Sequence, residues 1–431
     1  MSKVQLEELA YPSVGEILYK TVLPNGLRVF LQPKSEFQET YGIITANFGS
    51  IDTNFTPLGC QSEFSYPPGI AHFLEHKLFE NEDGEDLLQE FVKLGSESNA
   101  FTSFTKTSYL FSGTENIIEN LTLLQELVCD AYFTEESVER EQGIIQQEIE
   151  MYQDDSDYRL FFSILSNLYP KTPLAYDIAG SKDSIADISV EDLEDNFDTF
   201  YHPSNLSLFV IGNFDLLQVF ESIKETQSQF DNDKINNSYQ RNSLQMHPVI
   251  STGTERLEVA SPKLAVGFRG RDEIREGDRF RYKIILKLLF AMMFGWTSKR
   301  YQSFYEAGRL DSSLTLEVEV EDAFHFVILT MDTVEPVSIS HHIRSAVKQF
   351  ESDTDVSEEH LDIIKSEMYG ETLHGFNSLE YMATQYETHL EGENLFDIPR
   401  ILQEISLADV LQVGRRFLNN CDEADYLIFP K

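Results

Sequence analysis

Long apolar runs are missing from this 431-residue chain, and no stretch approaches the roughly 18 to 20 consecutive apolar residues of a membrane span. The opening residues, MSKVQLEELAYPSVGEILYK, hold no apolar signal core, so neither an anchor nor an export leader is expected. Cysteine is scarce. Cys60, Cys129 and Cys421 are odd in number, widely spaced and without a C-x-x-C pair, which argues against a disulfide framework. A reducing compartment, the bacterial cytoplasm, is the expectation. Positive charge is also short: 33 Lys and Arg face 73 Asp and Glu, a net charge of −40. Binding nucleic acid needs a basic face, and so does docking on an anionic membrane, so neither is expected as a partner. The excess acid reads either as a solvated, self-repelling surface or as an acidic cavity that attracts cationic peptides.

What is present is apolar material for a large core, 41% of the residues, in a chain long enough for two domains. Residues 18–34 predict a strand interrupted by Asn25-Gly26, a dipeptide that supplies the positive φ of a tight turn. A strand follows over 41–50. Pro67-Pro68-Gly69 punctuates the chain before a helix, and Asp83-Gly84 ends that region. Residues 99–113 alternate like paired strands, and 115–168 turn helical, with Asn116, Thr134 and Asp157 as caps or breaks. LSLFVIGNFD at 206–215 is a strand, and the polar stretch 222–245 has the composition of a linker. The second half predicts a strand at 263–270, long helices from about 279, adjacent strands over 314–332 and a last strand in ADYLIF. The expected fold class is α+β, with two structurally similar halves, each an antiparallel or mixed β-sheet packed with α-helices. The expected domains are 1–225 and 251–431, joined by a linker at 226–250.

One short string carries chemistry. His72-Phe73-Leu74-Glu75-His76 reads H-x-x-E-H, the inverted zinc-protease signature. Histidines four apart share one helix face and can hold one metal ion. Glu75 lies on nearly the same face, within reach of a water on that metal. Two incidental histidines on a surface helix are the alternative, weakened by the apolar residues Ile70, Ala71, Phe73, Leu74 and Leu78 around them. Zinc needs a third protein ligand while keeping one position open. The helix EREQGIIQQEIEMY at 139–152 offers Glu141 and Glu148, two turns apart on one face, beside a stripe of Ile144, Ile145 and Ile149. An ordinary amphipathic helix with charged edges would look the same.

Together, HFLEH at 72–76, NAFTSF at 99–104, EREQGIIQQEIEMY at 139–152 and YHPSNLSLFVIGNFD at 201–215 resemble the pitrilysin/insulinase metallopeptidases. LPNGLRVFL at 23–31 resembles their opening strand-turn-strand. The likeness covers the first half well and the second half in layout. It is nearest to the short, mitochondrial-processing-peptidase-like bacterial branch, often built as two dissimilar paired subunits. The resemblance implies a zinc endopeptidase subunit with His72, His76 and Glu148 as ligands of one zinc per chain. It makes Glu75 the general base and Glu141 a supporting acid behind the ligands. Asn99, Ala100 and Phe101 match the strand that pairs with substrate backbone, a mode that supplies main-chain hydrogen bonds without demanding a sequence.

In the resembled family the second half also brings an Arg and, seven residues later, a Tyr that hold substrate and help the oxyanion. In TSKRYQSFYEAGRLDSSL at 297–314, Tyr305 and Ser312 stand at those positions, with Arg300 and Arg309 out of register. A paralogous partner subunit without the zinc motif is then expected to supply the Arg and Tyr, in a heterodimer acting on short or unfolded peptides. A non-catalytic scaffold or peptide-binding subunit is the alternative. His202, His325, His341 and His342 lack metal-ligand spacing and are expected to be structural or exposed.

Overall fold

The computed structural model describes residues 5–57, 60–82, 84–230, 240–241, 243–389 and 392–431. Strands in chain order are β1 (Glu7–Tyr11), β2 (Glu16–Val22), β3 (Arg28–Pro33), β4 (Thr40–Ala46), β5 (Asn54–Thr56), β6 (Phe64–Ser65), β7 (Ser96–Thr102), β8 (Thr107–Gly113), β9 (Leu206–Gly212), β10 (Gln240–Arg241), β11 (Thr252–Leu257), β12 (Lys263–Arg269), β13 (Thr315–Val320), β14 (His325–Asp332) and β15 (Asp422–Pro430). Helices are α1 (Ile70–Lys77), α2 (Leu87–Lys93), α3 (Ile117–Cys129), α4 (Glu135–Gln153), α5 (Ser156–Leu168), α6 (Lys182–Ala186), α7 (Val190–Phe200), α8 (Leu216–Gln227), α9 (Arg279–Phe294), α10 (Lys299–Glu306), α11 (Pro336–Lys348), α12 (Glu358–Gly375), α13 (Leu379–Gln385), α14 (Ile398–Glu404) and α15 (Leu407–Leu418). Among the described residues, no helix is long and apolar enough to cross a membrane.

The described residues form two compact units. The first comprises those of Met1–Ile149, Tyr176–Asn242 and Gly375–His389, the second those of Glu150–Ala175, Ser243–His374 and Leu390–Lys431. The first unit holds a seven-stranded sheet of order β1-β2-β3-β9-β4-β8-β7 and a small sheet β10-β5-β6. The second holds a five-stranded sheet of order β11-β15-β12-β14-β13. Each has its own apolar core, one centred on residues such as Phe48, Phe73, Leu124 and Leu208, the other on Phe268, Leu289, Val327 and Phe417.

These units differ from a single cut at 226–250. Helix α5, early in the sequence, buries Leu160, Ile164, Leu165 and Leu168 and packs on β12 and β15 of the second unit. The approach is close: a Cβ on Gly267 of β12 would lie 2.7 Å from the Leu168 side chain. Conversely α13, late in the sequence, packs on β4 and β9 of the first unit, and the Tyr386 ring beyond it sits 5.7 Å from Phe30 and 5.5 Å from Phe209. Of the expected linker, residues 226–227 end α8 and 240–241 form β10, which pairs with β5. Residues 231–239 and 242 lie outside the described residues, as does Asp83.

Local details follow backbone chemistry. Gly26 takes φ 94° in the turn between β2 and β3. Asn116 precedes α3 in the left-handed region without capping it, its side-chain amide donating instead to the Leu94 carbonyl. Thr134 does cap α4, accepting the Ser137 N–H at 3.1 Å. The cap of α5 is Asp155 rather than Asp157, because it is the Asp155 carboxylate that receives the first free N–H groups, those of Asp157 and Tyr158. The inward stripe of α4 is Val138, Ile145 and Ile149, while Ile144 points outward at 49% exposure. One residue is a turn of about 100° on a helix, so adjacent isoleucines cannot share a face.

Candidate metal centre

Helix α1 starts where the backbone is forced to turn. Gly69 before it has φ 98°, and a Cβ there would lie 2.6 Å from the Ala179 carbonyl oxygen. The helix then buries Ile70, Ala71, Phe73 and Leu74 in the core of the first unit. That leaves His72, Glu75 and His76 on the side met by α4 and β7. Lys77 is fully buried and is matched by Glu80 at 2.5 Å, which Arg140 also holds at 2.6 Å.

Helix α4 brings its carboxylates to this face. Glu148 Oε2 lies 3.4 Å from His76 Nε2 and 3.8 Å from His72 Nε2. Within the described residues, His72, His76 and Glu148 form a group whose ligand atoms all lie within 4.8 Å of one another. Zinc with ligand bonds of about 2.0–2.1 Å in tetrahedral geometry sets neighbouring ligand atoms about 3.3 Å apart. Two nitrogens and one oxygen at these separations fit zinc with small closing shifts, and three protein ligands leave a position open. One turn earlier, Glu141 Oε1 accepts from His76 Nδ1 at 2.9 Å. In a neutral His76 this contact would keep the proton on Nδ1 and leave Nε2 as the atom available to a metal ion. His72 has no matching support: its Nδ1 is buried without a hydrogen-bond partner among the described residues.

The electrostatics favour a cation. Two imidazoles with ring centres 4.6 Å apart resist carrying two charges. Burial, then the neighbouring His76, pulls His72 down to about 4 and keeps it in the neutral form that binds metal. Burial also works against charge on His76, but its hydrogen bonds to Glu141 and Glu148 outweigh that and push it up to about 10. Without a metal, the proton on His76 is the counter-charge these carboxylates collect.

Glu75 faces the other way, towards β7. Burial raises its pKa, opposed by a hydrogen bond from Thr102 and by the nearby His76. Thr102 Oγ1 donates to Glu75 Oε2 at 2.5 Å. Thr102 directly follows Asn99, Ala100 and Phe101, the three residues that the family resemblance singles out. Strand alternation was the available signal, since Thr102 shares a side of β7 with Ala100, whose methyl packs on the core. Strand β7 forms one edge of its sheet, paired with β8 alone. Along it the Ala100 N–H donates to the Asn99 side-chain carbonyl at 2.9 Å, and Phe101 lines a small cavity with Lys106, Tyr386 and His389.

In the second unit, the two arginines near the expected clamp are engaged. Arg300 binds Asp353 at 2.6 Å and the Met293 carbonyl, and Arg309 binds Glu335 at 2.9 Å and Ser338. Tyr305 is 54% exposed and stacks on Tyr301. Of the other histidines, His325 is buried and bound to Asp272 at 2.9 Å, and His202 is bound to Ser204.

Repeated α+β units with a two-histidine, one-glutamate donor set beside a buried glutamate define a metallopeptidase type. Comparison with known proteins agrees. Residues 56–182 match insulinase (peptidase family M16), and residues 187–368 match the peptidase M16 inactive domain. A Bacillus subtilis protein named "uncharacterized zinc protease YmfH" is 37% identical over 411 residues, covering 95% of each chain. The Arabidopsis thaliana "probable mitochondrial-processing peptidase subunit beta" is 26% identical over 258 residues, 58% of this chain and 46% of its own. The crystal structure of an M16-like peptidase from Alicyclobacillus acidocaldarius superposes with TM-score 0.89 at 26% identity, over 100% of this chain and 99% of its own. The chain belongs to the M16 (insulinase/pitrilysin) peptidase family.

Proposed function

We propose that this chain is a zinc-dependent endopeptidase subunit that hydrolyses short or unfolded peptides and is completed by a partner subunit. The convergence of His72, His76 and Glu148 from α1 and α4, with Glu75 buried beside them, carries the proposal. These three residues would hold the ion, one per chain, with Glu141 fixing His76 from behind. Zinc, when bound, supplies Lewis acidity and lowers the pKa of water towards about 7. Glu75 takes the proton from the attacking water and delivers it to the leaving amine. A substrate strand adds to the open edge of β7, where its carbonyl replaces the Asn99 side chain on the Ala100 N–H, and Asn99, Ala100 and Phe101 supply the recognition surface.

The oxyanion needs donors, and the two arginines near the expected clamp, Arg300 and Arg309, are already bound to Asp353 and Glu335. A paralogous subunit lacking the zinc motif would supply an Arg and a Tyr. The relative named as a beta subunit supports a paired arrangement, and the three free cysteines suit a reducing compartment such as the cytoplasm. The same engaged arginines favour one second reading, a non-catalytic peptide-binding subunit. A peptide-library cleavage assay on the chain alone and on its co-purified complex separates the two. Zinc-dependent cleavage that appears with the partner supports the peptidase subunit, whereas a zinc-free chain without cleavage in either state supports the scaffold.

A further inference from the structure

Glu75 sits on a short helix, and a glutamate side chain has three rotatable bonds. Something must hold its carboxylate if it is to exchange a proton at a fixed place. Helix α1 does not do so: the hydrogen bond to this carboxylate comes from Thr102 on β7, Oγ1 to Oε2 at 2.5 Å. Oε1 accepts no hydrogen bond from a described residue.

Thr102 is itself held. In the β7–β8 register it stands opposite Thr107, with the two hydroxyl oxygens 3.4 Å apart. The Thr107 hydroxyl is spent on the Phe48 carbonyl at 2.9 Å. The single Thr102 proton is therefore directed to Glu75, and the Thr107 oxygen lies behind it without competing for the carboxylate. Nearby, Tyr109 and Tyr201 share a buried hydrogen bond of 2.8 Å. The β-branched Thr102 side chain is stiff at χ1. A rigid donor thus points at one oxygen of a flexible acid.

We infer that Thr102 is a positioning residue for Glu75: its hydroxyl clamps Oε2 and leaves Oε1 as the oxygen that receives the proton from water and returns it to the amine nitrogen as the peptide C–N bond breaks. Because Thr102 belongs to β7, the strand proposed to receive substrate also orients the base, so a peptide paired along β7 and the acid that serves it share one rigid element. The inference rests on the peptidase reading for its catalytic consequence, while the orientation of Glu75 is testable without it.

The test compares Thr102→Val, which keeps the β-branched shape and removes the hydroxyl, with Thr102→Ser, which keeps the hydroxyl. Crystal structures of the full chain report the Glu75 carboxylate directly. Zinc content and steady-state kinetics of the complex report its use. In the Val variant the carboxylate is expected to rotate or split between positions, with zinc content unchanged. Misplacing a catalytic group by about 1 Å costs on the order of 100-fold, so kcat should fall about 10- to 100-fold with KM nearly constant, and Ser should restore most of it. A Glu75 carboxylate that stays in place in Thr102→Val overturns the inference whether or not the chain cleaves peptides. So does a moved carboxylate with undiminished kcat. If the wild-type complex cleaves nothing, the peptidase reading fails, and the Glu75 positions in the two crystal structures alone decide the orientation.

Discussion

The two units build the same five-stranded core and use it differently. Order β3-β9-β4-β8-β7 in the first matches β11-β15-β12-β14-β13 in the second, and each series runs one parallel pair followed by three antiparallel pairs. Between β4 and β7 the first unit inserts α1 and α2; between β12 and β13 the second inserts α9 and α10. Helix α1 has 8 residues and turns three of its polar groups towards α4 and β7. Helix α9 has 16 and buries Leu286, Leu288, Leu289, Phe290, Met292 and Met293, so its slot is filled by core. The outer strands differ as well. Strand β7 carries Ser98, Asn99 and Ala100, whereas β13 carries Glu317 and Glu319, and burial together with Glu319 pushes the Glu317 carboxyl up. A charged edge is a poor template for another strand. The fold thus fixes where a helix may lie over the sheet. Whether that helix becomes core or a candidate metal site follows from its length, the glycine that starts it and the acids facing it.

The sharpest break in this comparison is chemical. Glu75→Gln should retain zinc and lower hydrolysis by about 10²- to 10⁴-fold, the range for a general acid–base group. A carboxylate change on the second unit's edge strand, Glu319→Gln, should leave the rate within about twofold, since only interactions made at the reacting centre in the transition state alter it. A comparable loss from Glu319→Gln would mean that the second unit contributes chemistry.

A smaller effect separates the glycines. Gly69→Ala forces a left-handed backbone at a cost of about 1–3 kcal/mol, before the contact with the Ala179 carbonyl is counted. Both the denaturation midpoint and the zinc content should fall. Gly267→Ala meets the side chains of Leu168 and Ile164 and should destabilise the second unit with zinc content intact. Zinc loss in both variants would show that the metal site depends on general stability rather than on the start of α1.

The smallest effect is a pH dependence of the second unit. Burial works against the charge on Asp272, but hydrogen bonds from His325 and Tyr282 outweigh it and hold the carboxyl below the usual range. A depressed carboxylate contributes stability that is present above its unfolded value, about 3.9, and is lost as pH falls through the folded value. Hydrogen exchange in β12 and β14 should therefore accelerate below about pH 4, and Asp272→Asn should flatten that response. An unchanged response in Asp272→Asn would assign the acid sensitivity to other carboxylates.

Much of this was legible in the sequence because it is local. The Asn25-Gly26 turn, the helix after Pro67-Pro68-Gly69 and the alternation of 99–113 and 314–332 each follow from neighbours a few residues apart. The repeated α+β layout was legible for the same reason. The exchange of α5 and α13 between the halves was not, because it depends on which sheet face lies open, and no periodicity reports that. Ile144 was misplaced because three isoleucines in one helix look like a stripe until the 100° step is applied to 144 and 145. At the site, the H-x-x-E-H spacing pointed to His72, Glu75 and His76, and the family resemblance added Glu148 and Glu141; His72, His76 and Glu148 lie together, Glu141 holds His76, and Glu75 turns to Thr102. Thr102 was legible only in part: alternation sets it on the Ala100 side of its strand, but nothing local reports that this side meets an acid on another element.

The central claim is that the first unit carries one metal centre closed by Glu148, with Glu75 as base and not ligand. Elemental analysis of the purified wild type, Glu148→Gln and Glu75→Gln measures this most directly. The account predicts about one zinc per chain in wild type and Glu75→Gln and a small fraction of that in Glu148→Gln. Full zinc in Glu148→Gln, or none in the wild type, would contradict it.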